Sequence, residues 1–288
     1  MTTSLLQVAL AQFAPVVNDA RANLTRMMET MEQHREADLV VFPELFLGGY
    51  TTRTPDMHAI DARHPMLQEL RDHARQCGLA IIFGAAEHYR GGIANSAFCI
   101  DRHGELAGIY RKTHLFGAEL EAFVAGDELI TVELDGHRLG LMICFDMEFP
   151  EVARALSQAG AKALVTISAN MTPFGMDHHL FAMARAIENT RAHVYVNQTG
   201  TGEAFEFTGG SMIVSVDGEM TAVAGEHDTV TQAPLLLTDR SAQRPDYPQL
   251  RRGRCQYVGP VKMMPRGQPH ESITGDAGMT DAIPAMPA

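Results

Sequence analysis

The chain has 288 residues, of which 45% are hydrophobic and 20% charged. This composition excludes a disordered or fibrous protein and suits one large α/β sandwich or barrel, while a formal net charge of −12 argues against nucleic acid or an anionic membrane as a partner. No apolar run approaches the ~20 residues of a membrane span, and the start of the chain lacks the pattern of a signal peptide, so we expect neither.

The first part of the chain is predicted to alternate strands with helices. Residues 5–13 are predicted to form a strand, a helix capped by Asn18 or Asp19 follows to about residue 36, and residues 38–42 form a second strand. This strand–helix–strand spacing predicts a parallel crossover. The next predicted elements are a helix at 65–77 and strands at 79–85, 95–100 and 106–110.

Two predicted tight turns connect hairpin strands in the second part of the chain. Asp135-Gly136 predicts a hairpin of strands 130–134 and 137–143, and Asp217-Gly218 predicts a later one. The other predicted elements are a helix from Pro150, a strand at 163–168, a helix at 176–190, a strand at 193–197, a turn at 199–202 and hairpin strands at 211–216 and 221–223. Pro, Gly and Met accumulate without periodicity from residue 259, so we expect a domain at 1–258 and an extended C-terminal arm or tail at 259–288.

Cys144 stands at a predicted junction between a strand and a helix. The apolar run 139–143 predicts a buried strand before it, and Pro150 occupies the position of a first helical turn. A thiol at such a junction projects from a rigid edge, and the backbone N–H groups after it can stabilise an oxyanion. For a lone cysteine the alternative is a buried, inert core residue.

Two charged residues also stand at the ends of predicted strands. Glu44 follows the strand at 38–42, and Lys112 follows the strand at 106–110. Alone, Glu44 would be a surface carboxylate and Lys112 a solvated strand edge. Because an α/β active site is assembled from several strand ends, the three residues together indicate one site.

The segments around these residues resemble the nitrilase superfamily of carbon–nitrogen hydrolases. The resemblance covers roughly residues 6–223, and it implies a four-layer α-β-β-α sandwich that forms a homodimer or a larger homo-oligomer, often through a C-terminal arm. The segments that carry it are Val-Val-Phe-Pro-Glu (40–44), Tyr-Arg-Lys-Thr-His-Leu-Phe (110–116), Cys-Phe-Asp-Met-Glu-Phe-Pro-Glu (144–151), Arg-Ala-Ile-Glu-Asn (185–189), Val-Asn-Gln-Thr-Gly (196–200) and Gly-Gly-Ser (209–211).

The resemblance implies a Glu–Lys–Cys catalytic triad. Cys144 would be the nucleophile, and Glu44 would take its proton, protonate the leaving amine and then activate water. Lys112 and the N–H of Phe145 would hold the oxyanion. Glu119 matches the second glutamate of the family and would orient the substrate amide and Lys112, with nearby Glu121 as the alternative.

Substrate choice is predicted from residues around the triad, with Phe145, Glu148, Tyr50 and Asn170 as candidate substrate-binding residues. The Cys-Phe-Asp sequence at 144–146 resembles amidases and carbamoylases, whereas the nitrilase branch usually has Trp-Glu after the nucleophile and this chain has no tryptophan. Many members carry Arg where this chain has Glu148, and an Arg there would suit substrates that bear a carboxylate. A glutamate at this position disfavours such substrates. We therefore predict an amidase for small neutral or cationic primary amides, with an N-carbamoyl amidohydrolase as the alternative. A nitrilase, and a binding or redox protein on the same fold, are less favoured.

The sequence predicts no cofactor and no metal. His178 and His179 are adjacent in a predicted helix, so their side chains diverge by about 100°, and we interpret them as helix surface. The four cysteines lack CxxC spacing, which predicts reduced thiols, no zinc site and a cytoplasmic location.

Overall fold

The computed structural model of the protein describes residues 4–202 and 205–238. The predicted C-terminal arm at 259–288 lies outside the described residues, as does the last part of the predicted domain at 1–258. The described helices are α1 (Ala20–Gln33), α2 (Pro65–Cys77), α3 (Glu119–Ala122), α4 (Pro150–Gln158) and α5 (Gly175–Asn189), together with a 3-10 helix at Cys144–Glu148.

The described strands form two six-stranded sheets and a short two-stranded ribbon. In chain order the strands are β1 (Ser4–Gln12), β2 (Leu39–Val41), β3 (Ala80–Tyr89), β4 (Gly92–Ile100), β5 (Leu106–Arg111), β6 (Thr131–Leu134), β7 (His137–Ile143), β8 (Ala163–Ser168), β9 (Ala192–Asn197), β10 (Thr199–Thr201), β11 (Glu206–Thr208), β12 (Met212–Val214), β13 (Met220–Val223) and β14 (Thr229–Leu237). The first sheet has the order β14-β1-β2-β3-β4-β5, the second has the order β13-β12-β9-β8-β7-β6, and β10 pairs with β11.

The two sheets pack face to face between two layers of helices. Alternate strand residues of both sheets, such as Val8 and Val41 from the first and Leu139 and Val165 from the second, form one buried cluster between the sheets. A second cluster packs α1 and α2 on the outer face of the first sheet. Two smaller clusters pack α5 and α4 on the second sheet. The predicted four-layer α-β-β-α sandwich is confirmed.

Most predicted elements are present, with their ends shifted by a few residues. The parallel crossover from β1 to β2 is confirmed, and the Asp19 side chain caps α1 by accepting a hydrogen bond from the Ala22 N–H at 2.9 Å. The sequence indicated a turn at 199–202, which instead contains β10. The sequence also predicted no strand at 229–237, where β14 pairs with the whole of β1. Pro234 weakens the strand pattern there, but a sheet-edge strand tolerates proline.

Candidate active site

The ends of three strands bring Glu44, Lys112 and Cys144 together. Glu44 follows β2 and Lys112 follows β5 in the first sheet, while Cys144 follows β7 in the second. The Lys112 Nζ lies 2.7 Å from Glu44 Oε1 and 2.9 Å from Oε1 of Glu119, the first residue of α3. These carboxylates are fully buried, and the lysine side chain is 1% exposed.

Each oxygen of Glu44 has a different set of donors. Oε1 accepts hydrogen bonds from Lys112 Nζ and from Asn95 Nδ2, the latter at 2.6 Å. Oε2 accepts one bond, from the Ala169 N–H at 2.7 Å. The Glu44 carbonyl also accepts from Gln198 Nε2 at 2.5 Å. The carboxylate is therefore held at both ends, and Oε2 has a lone pair left for a proton.

Burial and neighbouring charge set the protonation of this cluster. Burial raises the pKa of Glu44; the positive charge of Lys112 opposes that shift and the negative charge of Glu119 adds to it. Burial alone would lower the pKa of Lys112, but the carboxylates of Glu119 and Glu44 raise it well above its ordinary value. Lys112 is thus a permanent cation, and Glu44 is a stronger proton acceptor than an exposed glutamate.

The Cys144 thiol is protonated at rest. Burial raises its pKa, the charge of Glu44 raises it further, and the charge of Lys112 and a hydrogen bond with Ser168 lower it. Cys144 follows Ile143, which pairs with Ile167 on β8. Ala169, just beyond the end of β8, donates its N–H to Glu44 Oε2, so the thiol lies near Glu44. A thiol in this environment needs a base before it can attack, and Glu44 is a buried base next to it.

The backbone at Cys144 has the form of a nucleophile elbow. Cys144 has a φ of +46°, a left-handed conformation that is strained for a residue with a side chain. The 3-10 helix begins at Cys144, so the N–H of Phe145 lies in its first turn, where N–H groups have no partner within the helix. The N–H of the residue after Cys144 is thus left without a partner within the helix, and its role as an oxyanion donor stays a prediction.

Asp146 ties the Cys144 elbow to the loop that follows Lys112. Its Oδ2 accepts hydrogen bonds from the Tyr110 hydroxyl at 2.7 Å and the Ile143 N–H at 3.0 Å. Its Oδ1 accepts from the backbone N–H groups and side chains of Thr113 and His114. The carboxylate is fully buried, so this one side chain fixes the two catalytic strand ends relative to each other.

A cavity of about 170 Å³ opens in front of Cys144. Its walls are mostly aromatic or apolar, and it also contains two acidic side chains, Glu148 and Asp177, and His178. Among the described lining residues there is no lysine or arginine. The lining is formed by Phe116, Cys144, Phe145, Glu148, Asn170, Met171, Phe174, Asp177, His178 and Phe181.

Comparison with known proteins identifies the family of this fold and site. A sequence model described as Carbon-nitrogen hydrolase matches residues 7–244. The chain belongs to the carbon–nitrogen hydrolase family. An (R)-stereoselective amidase from Pseudomonas sp is 35% identical over 266 residues, which make up 91% of this chain and 97% of that relative.

Solved structures of an amidase have the same fold. The crystal structure of an amidase from Nesterenkonia sp. has a TM-score of 0.77 and 28% identity, covering 86% of this chain and 93% of that one. A mutant of the amidase from Nesterenkonia sp. AN1 also has a TM-score of 0.77 and 28% identity, with 86% and 94% coverage. In that structure the acetamide moiety of fluoroacetamide is covalently added at the active-site cysteine. The resemblance inferred from the sequence is therefore confirmed at the level of family and fold.

The structure separates the other predicted site residues of this carbon–nitrogen hydrolase into two groups. Phe145, Glu148 and Asn170 line the cavity. Tyr50 is not among the described lining residues, and its hydroxyl donates a hydrogen bond to Glu119 Oε1 at 3.1 Å. Of the two candidate second glutamates, Glu119 is buried in the charged cluster, whereas Glu121, two residues along a short helix, is exposed.

The interpretation of His178 as helix surface is wrong. α5 turns this residue inward, where it is 2% exposed, and its Nδ1 lies 3.2 Å from the Tyr195 hydroxyl. Its Nε2 lies 3.4 Å from Glu148 Oε1. Burial lowers the pKa of His178, against the opposing effect of Glu148, so the ring is neutral at neutral pH and does not cancel the charge of Glu148.

Sequence reasoning assigned no role to Asn95, Gln198 or Asp146, although each binds the catalytic elements. Asp146 and Gln198 lie in segments that carry the family resemblance, but nothing in those segments indicated their contacts, and Asn95 lies in a predicted strand without a motif. Within residues 4–202 and 205–238, no group of three or more His, Cys, Asp or Glu side chains is arranged to hold a metal ion. Every helix in those ranges is too short or too polar to cross a membrane.

Proposed function

We propose that the protein is an amidase that hydrolyses the C–N bond of a small primary amide to a carboxylate and ammonia through a thioester on Cys144. The observation that carries this proposal is the buried Glu44–Lys112–Glu119 cluster near Cys144, which has a strained backbone conformation and lines a cavity. The amidase relatives and the covalent adduct on the cysteine of the Nesterenkonia enzyme support it.

The first half of the reaction makes the thioester. The Cys144 sulfur attacks the amide carbonyl carbon while its proton passes to Glu44, and Oε2 is the oxygen with a free lone pair to receive it. The carbonyl oxygen gains negative charge, which Lys112 and the Phe145 N–H stabilise. One such donor contributes about 10²–10³-fold in rate. Glu44 then gives its proton to the nitrogen as the C–N bond breaks, and ammonia leaves.

The second half of the reaction regenerates the enzyme. Glu44, ionised again, takes a proton from a water molecule, and the resulting hydroxide attacks the thioester carbon. The same donors stabilise the second oxyanion, and cleavage of the C–S bond releases the carboxylate product while the proton returns to the sulfur. Glu119 keeps Lys112 charged and fixed in both halves, since its two oxygens lie 2.9 and 2.8 Å from Nζ.

The cavity favours neutral or cationic amides. Glu148 lines it with a side chain that is 30% exposed, and its neighbour His178 is neutral at neutral pH. A substrate carboxylate would meet this negative charge without a basic partner among the described lining residues. A protonated amine would be attracted to it, and the aromatic walls suit an apolar body.

The alternative is an N-carbamoyl amidohydrolase, which would use the same triad on a carbamoyl group. The acidic cavity disfavours N-carbamoyl amino acids, whose free carboxylate would face Glu148, and leaves N-carbamoyl amines as candidates. For a nitrilase we find no supporting feature beyond the shared family. A binding or redox role would not require the Glu44–Lys112–Glu119 cluster.

The test is ammonia release from matched neutral, cationic and anionic primary amides, with nitriles and N-carbamoyl compounds alongside. We expect amide turnover that is lost in Cys144→Ala and retained in Cys77→Ala, which removes another buried free thiol far from the cavity. Glu148→Gln should lower the preference for cationic over neutral amides by about tenfold, or about 1.4 kcal/mol. Glu151→Gln, an exposed glutamate on α4, is its control. Turnover of carbamoyl compounds but no amides would replace this proposal with the alternative.

We also propose a cytoplasmic homodimer or larger homo-oligomer. The free thiols of Cys77, Cys99 and Cys144 suit a reducing compartment. Met176 and Leu180 on α5 are 67% and 53% exposed, as expected for a helix that packs against a second copy. Light scattering of the purified protein tests the assembly.

A further inference from the structure

Asn95 contacts every charged residue of the buried cluster, although the mechanism above does not use it. It lies on β4 and is fully buried. Its Nδ2 donates hydrogen bonds to Glu44 Oε1 at 2.6 Å and to Glu119 Oε1 at 3.3 Å. Its backbone carbonyl accepts a hydrogen bond from the Lys112 N–H at 2.9 Å. One side-chain nitrogen thus bridges the two carboxylates that also bind Lys112.

The other end of the same amide is unpaired among the described residues. The Asn95 Oδ1 is buried without a hydrogen-bond partner there, an arrangement that is unfavourable because the oxygen loses its hydrogen bonds to water. Rotating the amide by 180° would not help, because Oδ1 would then face two carboxylate oxygens. An apolar residue here would avoid this unpaired acceptor but would also remove the two hydrogen bonds to the carboxylates, so the donor is what the asparagine specifically supplies.

The charges of the buried cluster explain the effect of the two hydrogen bonds that Asn95 donates. Glu44 and Glu119 carry two negative charges when both are ionised, and Lys112 supplies one positive charge. Asn95 adds a neutral donor that binds both carboxylates without cancelling the charge that Glu44 needs as a base. It also occupies the second acceptor position of Glu44 Oε1, where Lys112 occupies the first.

We propose that Asn95 is a positioning residue of the reaction: its amide nitrogen ties Glu44 Oε1 to Glu119 Oε1, so that the proton of Cys144 passes only to Glu44 Oε2. This inference rests on the proposed function, because the proton transfer belongs to that mechanism. Asn95 is not among the described residues that line the cavity, and it acts through the two carboxylates.

The test compares the wild type with Asn95→Leu, which keeps the branched arrangement of side-chain heavy atoms and removes the donor. Two pH profiles are measured, one of kcat/KM for amide hydrolysis and one of the rate at which iodoacetamide alkylates Cys144. Without the donor, the ionised form of Glu44 loses a hydrogen bond. The acid limb of both profiles should move up by about one pH unit, and kcat should fall more than KM rises.

Two further variants make the result specific. Asn95→Ser keeps one short donor that cannot span both carboxylates, so its acid limb should lie between those of the wild type and Asn95→Leu; it also serves if the leucine variant does not fold. Asn189→Leu is the matched control, because Asn189 is a buried asparagine with an unpaired Oδ1 whose Nδ2 donates to a backbone carbonyl on α5. It should change the unfolding midpoint and leave the acid limb in place.

The outcomes separate this inference from the proposed function. Alkylation and hydrolysis profiles of the Asn95 variants that coincide with the wild type, together with a changed unfolding midpoint, would overturn the positioning role and leave the amidase intact. A wild-type protein whose Cys144 is alkylated but which hydrolyses no amide would overturn the proposed function itself.

Discussion

Gly84 holds the backbone of Glu44 in place, and Gly84→Ala should displace it. Gly84 lies in β3 beside the chain that leaves β2, and a Cβ added there would lie 2.2 Å from the Leu45 nitrogen and 2.6 Å from Glu44 Cα. Ordinary carbon contacts are about 3.5 Å, so the two backbones must separate by about 1 Å. No side chain can give way, because the contacts are to backbone atoms.

The displacement should reach the active site because Gly84 is hydrogen-bonded to residues that precede and follow Glu44 in the chain. Its N–H donates to the Pro43 carbonyl at 3.0 Å, and its carbonyl accepts from the Leu47 N–H at 3.1 Å. Overpacking of this kind costs about 1–3 kcal/mol of stability. A shift of about 1 Å in a catalytic base costs about 10²-fold in rate. We therefore expect Gly84→Ala to lower kcat/KM about 100-fold while the protein still folds.

The assay is ammonia release combined with urea unfolding. Gly225→Ala is the control, since a Cβ there would meet no atom within 4 Å and this glycine has no positive φ. It should match the wild type in both measurements. If Gly84→Ala stayed within about twofold of the wild-type rate, the close approach of β3 would not be what positions Glu44, and the reasoning would be wrong.

Three further predictions concern stability. Lys112→Met should lower the free energy of unfolding by about 3–5 kcal/mol at pH 8, because two buried carboxylates lose their cation. The loss should be smaller at pH 5, because burial raises the pKa of Glu44 and favours its neutral form once the cation is gone. Equal losses at both pH values in urea unfolding would contradict this. Asp146→Asn should lower the free energy of unfolding by about 2–3 kcal/mol, because the buried donors lose a charged acceptor. Asp127→Asn, which removes the charge from an exposed ion pair, should lower it by much less in the same assay. Burial lowers the pKa of His193 to about 4, so the folded state resists its protonation. The contribution of neutral His193 to the free energy of unfolding should be fully present above about pH 6.5, and the free energy of unfolding should fall by about 3 kcal/mol as the pH drops to 4. In His193→Gln the free energy of unfolding should decline less steeply over this range.

The positions of Glu44, Lys112 and Cys144 at strand ends were predictable because they follow from local patterns. Each of these residues follows a predicted strand, so its side chain stands near a strand end. Glu44 and Lys112 come from the first sheet and Cys144 from the second, and the packing of the two sheets brings these ends together. The hairpin at Asp135-Gly136 and the helix start at Pro150 are equally local. These features depend on near neighbours in the chain, and together with the family resemblance they allowed the fold class and the family to be predicted from the sequence. The catalytic roles of Glu44, Lys112 and Cys144 stay predictions.

Only the tertiary structure decided which other side chains join the site. Glu119 and Glu121 are two residues apart, and the packing of α3 buries one and exposes the other. Asn95 and Asp146 became partners of the catalytic elements through contacts across 51 and 36 residues of chain. His178 faces the cavity because α5 packs that side against β9. Burial and hydrogen bonding at such distances depend on how whole layers meet, a property that no short stretch of sequence contains.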